Sequence, residues 1–129
     1  MNNSNFKICS KVIGEGSTYF VIEEGQANLG DFDKALEMVE IASKTGANAI
    51  EFQHAKAQDF YIKSHKGYQI YKEREFSDSQ LLDLVYFTRE KNLDLIVSPL
   101  TSKMIGQMVN NGCSAFNINA SDLNNPETL

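Results

Sequence analysis

Histidine, cysteine, positive charge and long apolar runs are all scarce in this sequence, and each scarcity excludes something. There are two cysteines in 129 residues. Cys9 and Cys113 lie far apart without metal-type spacing, so thiols in a reducing compartment are expected rather than a disulfide. The two histidines, His54 and His65, have neither the spacing nor the companions of a metal site, and no metal ligand is assigned to this chain. Basic residues number 12 against 17 acidic ones, a net charge of −5. That balance argues against a nucleic-acid or anionic-membrane partner, because both need clustered Lys and Arg. No apolar run approaches the roughly 20 residues of a membrane span. The opening MNNSNFKICS has no apolar h-region, so the expected setting is the cytoplasm.

What is present is ordinary for a globular protein: 42% apolar and 22% charged residues. The length suits one domain, 1–129, with a genuine core. The segment FKICSKVIGEGSTYF reads as a short hairpin, or two extended pieces broken at Gly14-Glu15-Gly16. TYFVIEEG is a β-branched and aromatic strand closed by Gly25. After the loop QANLGD, Asp31 is placed to cap a helix, with Phe32, Ala35, Leu36, Val39 and Ala42 at helical spacing and Gly46 as its stop. NAIEFQ is the second strand. From His54 to about Phe76 the chain is polar and aromatic without clear period and reads as a long loop, a feature that is usually functional or mobile. Ser77, with Gln80 three residues on, opens a second helix through a capping box and turns Leu81, Leu84, Val85 and Thr88 inward. LDLIVSP is a third strand ended by Pro99. Thr101 or Ser102 opens a third helix stopped at Gly112, and CSAFNINA is a fourth strand. Strands alternating with helices imply parallel strands and right-handed crossovers, hence an α/β fold.

One stretch, NAIEFQHAKAQDF, raises a question: a carboxylate stands in the middle of a strand that is otherwise buried. Strand residues alternate between faces, so Ile50 and Phe52 share the side that packs under helices, and Glu51 and Gln53 share the other. Every strand turns polar as it ends, at Glu23 and Glu24, at Glu51 and Gln53, at Ser98, and at Asn117 and Asn119. Ligands of α/β proteins gather at the carboxyl ends of parallel strands. Polar strand ends can also simply be entering solvent. Four strands behaving alike favour a polar pocket. A glutamate there could serve as a general base, a hydroxyl acceptor or a metal ligand.

The ordered segments VIEEGQANLGDFDKALEMVEIASKTGANAIEFQ, YKEREFSDSQLLDLVYFTREKNLDLIVSPL and GCSAFNINASDLNNPETL resemble the amino-terminal half of the sialic acid synthase family. The most specific pieces are Glu23, Gly25 and Gly30 in a Glu-x-Gly-x-x-x-x-Gly stretch, Thr45-Gly46-Ala47, Phe52-Gln53, Ser98-Pro99 and Asn124-Asn125-Pro126. The resemblance implies the parallel (β/α) half of a TIM-type barrel, about four strands with three helices, preceded by a short hairpin. It implies condensation of phosphoenolpyruvate with an N-acylhexosamine, using a divalent metal such as Mn or Mg. By that resemblance Glu23 is a catalytic acid, and Asp122 matches a family glutamate after the fourth strand. Gln53 falls where the family contacts the amino sugar, and Ser98 where a hydroxyl meets the phosphate. The 61–72 region matches a segment that closes over substrate, with Tyr68 and Tyr71 as its aromatic walls.

Three positions and one short stretch depart from the family pattern. Glu51 and Asn117 stand where the family has lysines that resemble phosphoenolpyruvate anchors. Ala120 stands where a phosphate-binding serine is usual, and Gln26-Ala27-Asn28 replaces an Asn-His pair. A like charge about 4 Å from phosphoenolpyruvate would cost on the order of 4 kcal/mol at an effective dielectric near 20. The lost cationic contacts, at roughly 1.5–3 kcal/mol each, add to that penalty. No cofactor is assigned to this chain, because the family's metal-binding histidines come from later strands. The expected ligand is a small-molecule sugar or sugar acid. The expected partner is a second copy or a complementary half-barrel chain, since an open half-barrel exposes its edge strands. Three readings follow: a synthase or part of one, a non-catalytic half-barrel that binds a sugar-like ligand or a partner, and a fragment with no independent role.

Overall fold

The computed structural model describes residues 5–9, 11–14, 16–113 and 115–129. Strands β1 (Phe6–Ile8) and β2 (Lys11–Ile13) pair antiparallel as the expected hairpin. Then come β3 (Val21–Gly25), α1 (Phe32–Ser43), β4 (Ala49–His54), α2 (Lys66–Glu73), α3 (Asp78–Glu90), β5 (Asp94–Pro99), α4 (Ser102–Asn110) and β6 (Ala115–Phe116). The sheet order is β3-β4-β5-β6, every pair parallel, so each strand lies beside its predecessor and helices make the crossovers. This is the strand–helix half-barrel that the sequence leads one to expect.

Local chemistry sets the helix ends. The Asp31 side chain accepts from the Lys34 amide, and α1 stops before Gly46, whose φ of +82° is left-handed. Ser77 and Gln80 form both halves of the capping box on α3, and Thr101 caps α4. The core lies between the sheet and the helices. Ile50, Phe52 and Val97 meet Val39, Leu84 and Met108, all at most 2% exposed. Each such side chain contributes about 1.5–3 kcal/mol relative to exposure. On α3, Thr88 is fully buried and satisfies its hydroxyl by donating to the Leu84 carbonyl.

Three elements differ from expectation. The stretch expected to be one long loop contains a 3-10 turn (Ala57–Asp59) and α2. No residue of α2 is buried, so it has no apolar stripe to betray it. It is held instead by His65, whose Nδ1 accepts from the Gly67 amide, and by ring contacts of Tyr71 with Phe60 and Tyr61. The first strand of the sheet begins at Val21 rather than Thr18. Tyr19 is drawn to the hairpin end, where its hydroxyl donates to Asp94, and Phe20 is exposed. The last strand pairs over two residues only, so Asn117 and Asn119 lie beyond its ladder. The hairpin closes the amino ends of the strands, where Lys11 donates to the Asn48 carbonyl and pairs with Asp94 at 3.3 Å.

Candidate functional site

At the carboxyl ends, β4 divides its side chains as the alternation requires. Ile50 and Phe52 enter the core, and Glu51 and Gln53 take the opposite face. Glu51 is buried at 7% exposure. Its Oε1 accepts from Ser98 Oγ on β5 at 2.5 Å and from Asn117 Nδ2 just past β6 at 2.7 Å. Charge-assisted contacts of this length are the strong ones. Among the described residues no Lys or Arg is ion-paired or hydrogen-bonded to that carboxylate. Beside it, Gln53 Nε2 donates to Glu23 Oε1 on β3 at 3.3 Å. Five of the residues expected at the site therefore form two hydrogen-bonded groups at the carboxyl ends of the strands, Glu51 with Ser98 and Asn117, and Glu23 with Gln53.

The remaining three are placed differently. Tyr71 joins Gln53 in a narrow cleft between β4 and α2. Tyr68 faces a separate groove with Phe60, Tyr61 and Lys63, so the two tyrosines do not wall one space. Asp122 lies in a 3-10 turn (Ala120–Asp122), where its carboxylate takes contacts from Ser121 and Asn125. Those are neighbours in and just after its own turn, and among the described residues it makes no hydrogen bond to Glu23 or Glu51.

The acid after Glu23 has a structural task. The β3–β4 ladder shifts register between Glu23 and Gly25. Glu24 is buried there and accepts from both the backbone and the side-chain amide of Asn28. Burial raises its carboxyl pKa, an effect the Asn28 bonds oppose. Asn28 Oδ1 in turn accepts from the Gly30 amide. Gly30 has φ +88°, and a Cβ there would lie 2.5 Å from the Glu73 carbonyl oxygen. The second glycine of the Glu-x-Gly-x-x-x-x-Gly stretch thus lets the loop after β3 touch the end of α2.

Two residues of this region were not expected at the site: His54, weighed from sequence only as a metal ligand, and Arg74. His54 follows Ile50 and Phe52 on the apolar side of β4, and a polar residue in that row is the signal that could have found it. Its ring stacks on Phe76 at 5.6 Å, and burial lowers its pKa to about 4. Arg74 lines the same cleft as the last residue before the link to α3, with no pattern to mark it.

Among the described residues no group of three or more His, Cys, Asp or Glu side chains is placed to hold a metal ion. The divalent metal implied by the resemblance has no ligand set among them. No helix among them is long and apolar enough to cross a membrane. A further cavity lies at the far end of the strands, between the hairpin and the α4–β6 connection, lined by Lys7, Arg89 and Asp94 among others. In (β/α) barrels that end serves stability rather than chemistry.

A parallel strand–helix half-barrel with acids and amides gathered at the carboxyl ends of its strands defines a (β/α) barrel-type scaffold. Residues 38–129 match the sequence model of the NeuB family, and the chain belongs to that family. It is 33% identical over 118 residues to an uncharacterised protein of Methanocaldococcus jannaschii, covering 91% of this chain and 35% of that one. It is 24% identical to the spore coat polysaccharide biosynthesis protein SpsE of Bacillus subtilis, again covering 35% of the relative. The chain thus spans about a third of the length of the curated relatives it matches. Its fold superposes with a TM-score of 0.84 on the N-acetylneuraminic acid synthetase of Leptospira borgpetersenii, solved in complex with citrate. That match has 23% identity and covers 95% of this chain and 44% of the other. The crystal structure of SpsE matches with a TM-score of 0.71, over 89% of this chain and 33% of that one.

Proposed function

We propose that this chain is a NeuB-type half-barrel that binds a neutral, hydroxylated sugar at the carboxyl ends of its strands and does not hold phosphoenolpyruvate by itself. The observation that carries this reading is the bond from Ser98 to Glu51. A serine hydroxyl has one proton to give. At 2.5 Å from Glu51 Oε1 that proton is engaged, and Asn117 gives its amide to the same oxygen. Glu51 takes up, from inside the chain, the hydroxyl that the resemblance assigns to a phosphate, and the amide that stands in place of a family lysine. Glu23 and Gln53 remain at the rim as acceptor and donor for sugar hydroxyls.

On this reading the chain acts in sugar-acid biosynthesis, in the cytoplasm, with a complementary half-barrel, either another chain or a second copy. Two features support the pairing. β3 and β6 end the sheet, so each carries an edge with no strand beside it among the described residues. Beside the β3 edge, Ile22, Met38, Ile41 and Ile50 line an apolar groove, with Ile41 56% exposed. Open edges and bare apolar grooves invite a partner.

The second reading is a synthase that retains turnover, and the Glu23–Gln53 pair, present at family positions, favours it. One assay separates the two. Purified chain is mixed with phosphoenolpyruvate, Mn²⁺ and N-acetylmannosamine, and free phosphate is followed. The first reading expects saturable N-acetylmannosamine binding by NMR with no phosphate release above the protein-free rate. Release above that rate overturns it.

A further inference from the structure

His54 is 5% exposed, and its Nε2 is a buried nitrogen without a hydrogen-bond partner among the described residues. Native proteins seldom leave such an atom unmatched, and an unfilled site is one of the few reasons they do. The nitrogen belongs to a residue lining the cleft between β4, the loop after β3, and the α2–α3 link. That cleft is narrow, with room of about 10 Å³, enough for one water-sized group or a single ligand oxygen, and it opens to solvent.

The lining has one sign. Arg74 is its cation, and Gln26, Asn28, Gln53, His54 and Tyr71 are its polar neutral members; no carboxylate belongs to it. Arg74 is half-buried, and its side chain makes no ion pair or hydrogen bond among the described residues. The carboxylate behind the cleft, Glu24, is already engaged by Asn28. The groups that bear electrostatically on His54 are Lys56, Glu75 and Asp78. Each has its own partner: Lys56 meets Asp78, and Glu75 accepts from Lys72 and the Ala57 amide. A half-buried guanidinium and a buried imidazole nitrogen, both unengaged and carried by residues that line one narrow space, suit a carboxylate or phosphate oxygen better than any other common group.

We propose that His54 and Arg74 form an oxyanion site on the helix side of β4, with one ligand oxygen reaching His54 Nε2 and the remaining charge meeting Arg74. His54 lies on the face of β4 opposite to Glu51 and its partners Ser98 and Asn117, so the site is distinct from that cluster, though it shares Gln53 with the sugar-binding reading. The neutral imidazole donates through Nε2, and the fork of the guanidinium offers a bidentate partner.

The test is an NMR titration of the whole chain with acetate and, separately, inorganic phosphate at constant ionic strength, read at the His54 ring and the Arg74 Nε–H. Saturable shifts at both residues are expected with at least one anion. Response to acetate alone assigns a carboxylate, and response to phosphate alone assigns a phosphate. The R74Q variant should weaken binding about 10- to 100-fold, the span of one charged hydrogen bond. The H54F variant, which preserves the stack on Phe76, should abolish the Arg74 response. If H54F fails to fold, R74Q carries the test, because Arg74 is not part of the core. K7Q, at the opposite end of the strands, serves as a surface-charge control and should bind as the wild type does. Absence of a saturable shift at His54 for both anions, as expected if only water occupies the cleft, overturns the proposal, as does R74Q binding unchanged. The Asn117 side-chain amide, read in the same spectra, reports the other face of β4, so failure of either reading is seen separately.

Discussion

Changing Glu51 to glutamine removes one charge and almost no volume. In the wild type its Oε1 holds the Ser98 hydroxyl at 2.5 Å and the Asn117 amide at 2.7 Å. An oxyanion approaching Ser98 must compete for its single proton while standing about 4 Å from a fixed carboxylate. At an effective dielectric near 20 that repulsion costs about 4 kcal/mol per unit charge. The E51Q variant removes it, so phosphoenolpyruvate affinity at this face should rise by roughly three decades. E51K combined with N117K should raise it further by supplying two cations. The assay is an NMR titration followed at the Asn117 side-chain amide, which does not register anions bound elsewhere. In wild type that resonance should stay unmoved, and in E51Q it should shift and saturate. Thermal melts check that each variant is folded, which matters most for the buried lysine of E51K. Equal responses in wild type and E51Q would refute the reasoning, because the carboxylate would then not be what bars the anion.

Three further outcomes are expected. The His54 pKa falls from the usual 6.5 to about 4 on folding, chiefly through burial. The unfolded chain therefore binds the extra proton between those values, and stability, complete above about pH 6.5, should be lost on acidification through that window. The loss is at most about 3 kcal/mol, and denaturant melts across the range should show the slope in wild type and not in H54F. G30A meets both a left-handed φ and the Glu73 carbonyl, so it should destabilise by about 1–3 kcal/mol, seen as a lower Tm. S77A removes the capping box from α3 and should cost about 0.5–2 kcal/mol by the same measurement.

How much of this was legible beforehand depends on which physical rule governed each part. Caps and apolar periodicity are local, so Asp31, Ser77, a start of α4 at Thr101 or Ser102, and the inward rows of α1 and α3 could be placed from sequence. The inward direction of Glu51 followed from strand alternation alone. α2 was not legible because it buries nothing, and a helix held by a histidine cap and stacked rings leaves no periodic trace. The separation of Tyr68 from Tyr71 depends on that helix and was hidden with it. Asp122 followed from likeness to a family position, and likeness fixes neither the turn it occupies nor its partners. His54 and Arg74 line one cleft with the loop after β3, where Gly30 lets that loop approach the backbone of Glu73 and Arg74. That closeness is tertiary, and no spacing in the chain encodes it.

The central claim is that an internal carboxylate occupies the donors an oxyanion would need. A crystal structure of the chain grown with phosphoenolpyruvate tests it most directly. The account predicts Glu51 still hydrogen-bonded to Ser98 and Asn117, with no phosphate density beside them. Phosphate density on the Ser98 hydroxyl, with the Glu51 side chain swung away, would contradict it.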